Sequence, residues 1–188
     1  LVERAVRKMF SGDAGEPASA PTVKIINLSV ADPDRMFNRF PSPTARLLDW
    51  LSYRYKVLFC VSAGNIKDPV QLGISSEEFA TKEDDEKLGI VLSSLYDSRR
   101  NCRILAPSES INSLTVGALH DDASRNTPPG GYIDLLPSSR LPSPLSPFGH
   151  GFRSSIKPEI VVPGGRQLFV HCGDGEYRIP DIQPQFGQ

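Results

Sequence analysis

Apolar and charged residues alternate at helical spacing over residues 1–10, and a mostly apolar run over 23–29 follows them. The first pattern predicts an amphipathic helix, and the second predicts a largely buried strand. Ser42 and Pro43 are typical of the first positions of a second helix, which leads into an apolar strand predicted over 57–61. Because helix and apolar strand alternate, the sequence predicts an α/β protein with a parallel sheet.

The middle of the chain predicts one long helix and one further strand. Ser75 and Glu78 fit a capping box at the start of a helix predicted over 76–98. Consecutive carboxylates on a helix point in different directions, so we interpret the acidic run 83–86 as solvent-facing surface and not as a metal site. Alternating apolar residues then predict a strand over 113–118.

The last third of the chain is rich in proline and turn residues. Repeated prolines over 127–149 predict an irregular surface loop, because proline cannot donate to a backbone ladder. Residues 156–164 resume an apolar strand, and Asp174 with Gly175 between two short runs predicts a hairpin.

Composition and charge limit the classes of partner. The chain has 188 residues, and its 39% hydrophobic and 23% charged residues are usual for one soluble globular domain. Its 21 basic and 22 acidic residues leave a formal charge of -1, so no basic field favours nucleic acid or an anionic membrane. No apolar run approaches the roughly 18 to 20 residues that span a bilayer. We therefore expect no nucleic-acid partner and no membrane partner.

The three cysteines do not form a recognisable framework. Cys60, Cys102 and Cys172 are odd in number and widely spaced, which disfavours disulfides and a structural zinc site. We expect them to be reduced thiols in the core. The sequence does not assign a compartment, although unpaired cysteines favour the cytoplasm over a secreted location.

Asn65 is the first candidate for chemistry. The apolar strand ends in Ser62, Ala63 and Gly64, and the asparagine follows directly. Ligands of open α/β sheets bind beyond the carboxyl ends of the strands, where a carboxamide can donate hydrogen bonds to a substrate. The alternative interpretation is that Asn65 only turns the chain after the strand.

Five segments in this order resemble the subtilisin-like serine peptidases, or subtilases. They are Ile-Asn-Leu-Ser at 26–29, Phe-Cys-Val-Ser-Ala-Gly-Asn at 59–65, Ala-Pro at 106–107, Ser-Leu-Thr-Val-Gly-Ala at 113–118 and Ile-Lys-Pro-Glu-Ile-Val-Val-Pro-Gly at 156–164. The resemblance extends over about the whole chain. It implies a doubly wound, mostly parallel sheet with helices on both faces, in three layers.

The resemblance also implies roles for single residues. Asn65 matches the asparagine of the oxyanion hole. Ser29, Val30 and Ala31 match the family segment that pairs with the substrate as an added strand. Ser62, Ala63 and Gly64 match the floor of the pocket for the residue before the scissile bond. The family usually has Leu-Gly-Gly where this chain has Val-Ala-Asp at 30–32, which predicts a narrower and more acidic substrate edge. No cofactor is required, and a structural calcium ion is possible in the longer protein, although no metal ligands are identified.

The catalytic triad of the family is not recognisable in the chain. No Gly-Thr-Ser motif occurs, and His150 in Gly-His-Gly follows Asn65, whereas the catalytic histidine of the family precedes the oxyanion asparagine. We interpret His150 as a surface residue. Residues 1–188 are therefore expected to be the C-terminal part of a subtilase catalytic domain, which is inactive by itself. We expect insertions or extended loops over 66–105 and 119–150.

Three hypotheses of function remain. In the first, the parent protein is a serine endopeptidase that hydrolyses peptides or proteins. In the second, a degenerate subtilase serves as a peptide-binding or scaffolding module. The third, a nucleotide-binding domain, lacks the glycine-rich phosphate cradles of that class. Self-association is also expected, since a partial sheet exposes an apolar edge.

Overall fold

The computed structural model describes residues 1–98, 102–122, 128–136 and 140–180. Contacts divide the described chain into two compact units. The first contains Leu1–Gly64, Ile104–Val116 and Phe148–Ile160, and the second contains the described residues of Asn65–Arg103, Gly117–Pro147 and Val161–Gln188.

Four α-helices, one short 3₁₀ helix (Phe152–Ser154) and eleven strands occur in the described residues. The helices are α1 (Val2–Ser11), α2 (Pro43–Tyr55), α3 (Ser76–Thr81) and α4 (Asp84–Asp97). The strands are β1 (Ile25–Leu28), β2 (Asp32–Met36), β3 (Leu58–Ser62), β4 (Val70–Gln71), β5 (Leu105–Ala106), β6 (Ser113–Leu119), β7 (Gly149–His150), β8 (Ile156–Lys157), β9 (Ile160–Pro163), β10 (Val170–Gly173) and β11 (Glu176–Arg178).

The central sheet has the strand order β1-β3-β6-β9. β1 and β3 are parallel and pair Leu28 with Val61, while β3 and β6 are parallel and pair Phe59 with Ser113. The sequence prediction of an α/β fold with a mostly parallel sheet is confirmed.

Helix α2 forms where the sequence predicted it. The Ser42 hydroxyl accepts a hydrogen bond from the Ala45 backbone N–H at 3.0 Å, and Pro43 occupies the first turn, where no N–H is needed. Lys56 adopts a left-handed conformation and ends the helix. The apolar face of α2 packs with α1 and β3 in a core cluster of Val6, Leu48, Leu51, Val57, Phe59 and Val61.

Strand β1 is less buried than its apolar sequence predicted. The expected buried strand over 23–29 is a four-residue strand at the edge of the sheet, and 63% of Ile25 is exposed. The prediction of burial was wrong because an apolar run does not reveal whether a strand has one neighbour or two.

In the second unit, the single helix predicted over 76–98 is two helices. Ser75 caps α3 as predicted, because its hydroxyl accepts from the Glu78 backbone N–H at 3.1 Å. Lys82 and Glu83 are extended, and a new helix, α4, begins at Asp84. The exposed acidic run therefore occupies the N-terminus of α4, where the helix dipole favours negative charge.

The loop predicted over 127–149 is irregular but not wholly at the surface. Leu135 and Leu136 are buried, so the prediction was wrong for them; residues 127 and 137–139 lie outside the described parts. Proline disfavours ladder hydrogen bonds but does not prevent burial. The two leucines belong to a core cluster with Val70, Leu72, Phe79, Val91, Phe169 and Tyr177.

Two predictions for the end of the chain differ in outcome. The predicted strand over 156–164 is split into β8 and β9. The predicted hairpin is confirmed: Asp174 and Gly175, both with positive φ, join β10 to β11 in an antiparallel sheet of order β10-β11-β4.

The cysteines are free thiols but are not in the core. Cys60 and Cys102 are half-buried, and Cys172 is exposed because it lies on β10, at the edge of its sheet. Across the described ranges, no helix combines the length and the apolar character needed to cross a membrane.

Candidate active site

The end of strand β3 is fixed by backbone hydrogen bonds within the first unit. The Ala63 N–H donates to the Val116 carbonyl at 3.0 Å, and the Ala63 carbonyl accepts from the Leu105 N–H at 3.2 Å. The Ser62 hydroxyl accepts from the Gly64 N–H at 3.1 Å. All of the predicted pocket-floor residues are therefore held in place at the carboxyl end of the strand.

Gly64 adopts a conformation that favours glycine. Its φ is +109°, and a Cβ added there would lie 2.7 to 2.9 Å from side-chain atoms of Leu105. The buried Leu105 side chain thus packs directly against the Gly64 backbone. A larger residue at position 64 would strain the backbone and displace Leu105.

The second predicted cleft segment leaves the sheet beside the first. Leu28 of β1 pairs with Val61 of β3, so residues 29–31 and 62–64 follow the carboxyl ends of neighbouring parallel strands. Val30 is 52% exposed, and its N–H donates to the Leu28 carbonyl at 2.9 Å. The structure therefore brings these two predicted segments to the same end of the sheet, where the carboxyl ends of β1 and β3 lie side by side.

Asn65 is the first residue of the second unit, and it is exposed. Within the described residues, no group hydrogen-bonds its carboxamide. The next residue is firmly anchored, since the buried Ile66 donates its backbone N–H to the Leu145 carbonyl at 2.9 Å. The asparagine thus combines an available side chain with a fixed neighbouring backbone.

A buried histidine in the second unit has a hydrogen-bond partner on each ring nitrogen. His120 is 2% exposed; its Nε2 lies 2.8 Å from Asp134 Oδ1, and its Nδ1 accepts from the Gln167 backbone N–H at 3.0 Å. Because both ring nitrogens have partners, His120 cannot accept a proton from a nucleophile without breaking one of these bonds. Arg166 reaches Asp134 from the other side, at 3.7 Å.

Sequence reasoning did not find this cluster. The residues of the His120–Asp134 pair are 14 positions apart, and Gln167 lies 47 positions from His120. The burial and the hydrogen bonds of His120 assign it to packing. No periodic pattern or motif could have revealed these contacts.

A buried carboxylate in the first unit was also missed. Glu109 is 1% exposed, and its Oε1 accepts from the Ser42 backbone N–H at 2.8 Å. Nearby, the Ser110 hydroxyl donates to Asp49 Oδ1 at 2.7 Å. These bonds attach the segment after Pro107 to the N-terminal half of α2.

The remaining candidate groups do not form a catalytic set. His150 is exposed on β7. His171 is also exposed, and its Nε2 contacts the Ser76 hydroxyl; among the residues that the structure describes, no carboxylate binds its Nδ1. Burial raises the pKa of the Cys102 thiol. A hydrogen bond from Ser98 lowers this pKa and the charge of Asp68 raises it, but the net effect is a raised pKa, so the thiol is a poor nucleophile. In the described residues, no group of three or more histidine, cysteine or acidic side chains could hold a metal ion.

Comparison with known proteins identifies the family. The subtilase family model matches residues 3–183, and the chain therefore belongs to the subtilases, as the sequence resemblance indicated. This is a family of serine peptidases.

One curated relative is similar over most of this chain. The uncharacterized protein y4bN of Sinorhizobium fredii is 30% identical over 149 residues, which are 78% of this chain and 32% of that protein. The chain thus spans about a third of the length of this relative. No solved structure matches significantly.

Proposed function

We propose that this chain supplies the oxyanion donor and two walls of the substrate cleft to a subtilisin-like serine endopeptidase. The observation that carries the proposal is the exposed Asn65, three residues after the end of β3 in a parallel sheet, in a chain that belongs to the subtilase family. Its carboxamide has no hydrogen-bond partner among the residues that the structure describes. We place the serine, histidine and aspartate of the triad in sequence outside these 188 residues, since the chain has no Gly-Thr-Ser motif and no histidine before Asn65. The chain alone is then inactive.

The proposed reaction is hydrolysis of a peptide bond through an acyl-enzyme. The serine Oγ bonds to the substrate carbonyl carbon while the histidine, oriented by the aspartate, accepts the serine proton. The histidine returns this proton to the leaving amine as the C–N bond breaks, and water then hydrolyses the ester by the same steps. These groups suffice, so the proposal requires no cofactor; a structural calcium ion elsewhere in the longer protein is compatible with it.

Asn65 acts on the transition state in this proposal. Its side-chain N–H donates to the carbonyl oxygen when that oxygen becomes negatively charged. Because the charge develops only as the tetrahedral intermediate forms, this hydrogen bond stabilises the transition state more than the bound substrate. The anchored Ile66 backbone supports the role, since a preorganised donor needs no reorientation during the reaction.

The cleft residues bind the substrate backbone and one side chain. Ser29, Val30 and Ala31 pair with an extended peptide as an added strand, and Ser62, Ala63 and Gly64 form the floor of the pocket for the residue before the scissile bond. Both segments follow the carboxyl ends of the neighbouring strands β1 and β3, and this position supports the two roles. The buried Leu105 side chain packs against Gly64 and so helps to hold this floor in place.

Replacement of Asn65 tests the proposal in the full-length protein. We expect Asn65→Ala to lower kcat about 10²- to 10³-fold on fluorescein-labelled casein with little change in KM, as for the loss of one oxyanion donor. Asn112→Ala is the control, because Asn112 is an exposed asparagine just before β6, at the amino ends of the parallel strands, and its carboxamide donates to the Asp49 carbonyl on α2 at 3.3 Å. An unchanged kcat in Asn65→Ala would refute the assignment.

Fluorophosphonate labelling separates the peptidase from a peptide-binding subtilase that has lost its activity. The reagent bonds to an activated serine, so the full-length peptidase should be labelled and then lose casein hydrolysis. A folded full-length protein that binds peptides but takes no label would favour the peptide-binding or scaffolding module.

A further inference from the structure

The backbone around Asn65 is held by a turn that no part of the proposed mechanism uses. This turn, Ser143-Pro144-Leu145-Ser146, is closed by a hydrogen bond from the Ser146 N–H to the Ser143 carbonyl at 2.9 Å. Pro144 occupies the position at which its fixed φ favours such a turn. The Leu145 carbonyl accepts the Ile66 N–H, one residue after Asn65.

The turn is itself attached to the end of β6. The Ser143 N–H donates to the Ala118 carbonyl at 2.8 Å, and the Ser146 hydroxyl accepts the Ala118 N–H at 3.0 Å. Both serines are buried, with 6% and 8% exposure. The Ser146 hydroxyl thus accepts a hydrogen bond that a backbone carbonyl accepts in a regular pair of strands. One continuous series of contacts connects β6 to the residue after Asn65, and it runs from Ala118 through Ser146 and Leu145 to Ile66.

We propose that Ser146 is a positioning residue for the oxyanion donor: it fixes the turn 143–146 to β6, and the turn fixes the backbone that carries Asn65. The inference rests on the proposed function of Asn65. Loss of the Ser146 hydroxyl leaves the Ala118 N–H without its acceptor and frees the turn to shift. A shift of about 1 Å in a catalytic donor is enough to lower the rate up to about 10²-fold.

A double-mutant cycle in the full-length protein tests this coupling. We expect Ser146→Ala to lower kcat on fluorescein-labelled casein about 10-fold or more with little change in KM, because the donor acts on the transition state. In the Asn65→Ala background the same substitution should change kcat little, because the donor that it positions is gone. Ser146→Thr keeps a hydroxyl and should restore most of kcat.

Two further variants separate positioning from general stability. Ser98→Ala removes another serine hydroxyl that bonds to backbone, at the end of α4, and should leave kcat unchanged. If Ser146→Ala does not fold, Pro144→Gly loosens the turn without deleting the buried hydrogen bond and should show the same loss of effect in the Asn65→Ala background.

The outcomes distinguish the two claims. The positioning role is overturned if Ser146→Ala leaves kcat unchanged, or if it lowers kcat by the same factor in the original protein and in the Asn65→Ala variant. Either result leaves the proposed function of Asn65 intact. An Asn65→Ala enzyme with normal kcat overturns the proposed function and this inference with it.

Discussion

At the residue scale, Gly64 carries the strongest backbone constraint near the candidate site. Its φ of +109° is unfavourable for other residues, and Leu105 occupies the space of a side chain there. We expect Gly64→Ala to lower the free energy of unfolding by at least about 1–3 kcal/mol, the typical cost of a strained backbone conformation. Urea unfolding followed by circular dichroism measures the change.

Gly89→Ala is the control for that measurement. Gly89 lies within α4, its φ is not positive, and a Cβ there meets nothing within 4 Å. Alanine at this position should stabilise the chain by up to about 1 kcal/mol through helix propensity. Equal stability of the Gly64→Ala variant and the original chain would show that the site tolerates a side chain.

The predictability of the site also differs between residues. Asn65 is a candidate from the sequence because a strand that ends in small residues is a local signal, and because the segment matches a family pattern. Leu145 and Ser146 could not be connected to it, since their contacts with Ile66 and Ala118 arise only when distant segments fold together. Sequence thus predicted the candidate donor and not the residues that hold it.

At the element scale, α2 is attached to the segment after Pro107 by a buried carboxylate. Glu109→Ala should leave the Ser42 backbone N–H unpaired and lower the free energy of unfolding by about 1–3 kcal/mol. Glu109→Gln keeps a carbonyl acceptor and should be less destabilising. Urea unfolding of both variants checks the difference, and equal losses would mean that packing, not this hydrogen bond, determines the contribution.

Local signals explain which elements the sequence predicted. α2 has its serine cap and proline, and the β10–β11 hairpin has Asp174 and Gly175, so both were predicted correctly. The break between α3 and α4 was missed because Lys82 and Glu83 are compatible with a continuous helix. Burial was the least predictable property: the edge position of β1 and the burial of Leu135 depend on neighbours distant in sequence.

At the scale of the whole molecule, the stretches predicted to be insertions, 66–105 and 119–150, supply much of the second unit. That unit has its own apolar cluster and its own antiparallel sheet, which includes β4 from the first of these stretches. Their interpretation as insertions stays a prediction. Fold class could be inferred from alternating helices and strands, whereas the division into two units could not, because it depends on which segments pack together.

The edge of the central sheet makes self-association of the 188-residue chain a specific prediction. β1 has one strand neighbour among the described residues, and 63% of its Ile25 is exposed, so a second copy could pair along its other side. We expect the sedimentation coefficient of this chain to rise with concentration. Ile25→Lys should shift the chain towards monomer, because a charge on an edge strand disfavours pairing with a second copy.

Tyr53→Lys distinguishes the sheet edge from general surface hydrophobicity. Tyr53 is 72% exposed on α2, so its replacement removes a large apolar side chain without altering β1. The control variant should therefore associate like the original chain. A chain that is monomeric at every concentration, or an equal shift in both variants, would contradict association through β1, since only edge pairing makes Ile25 more important than a more exposed aromatic residue.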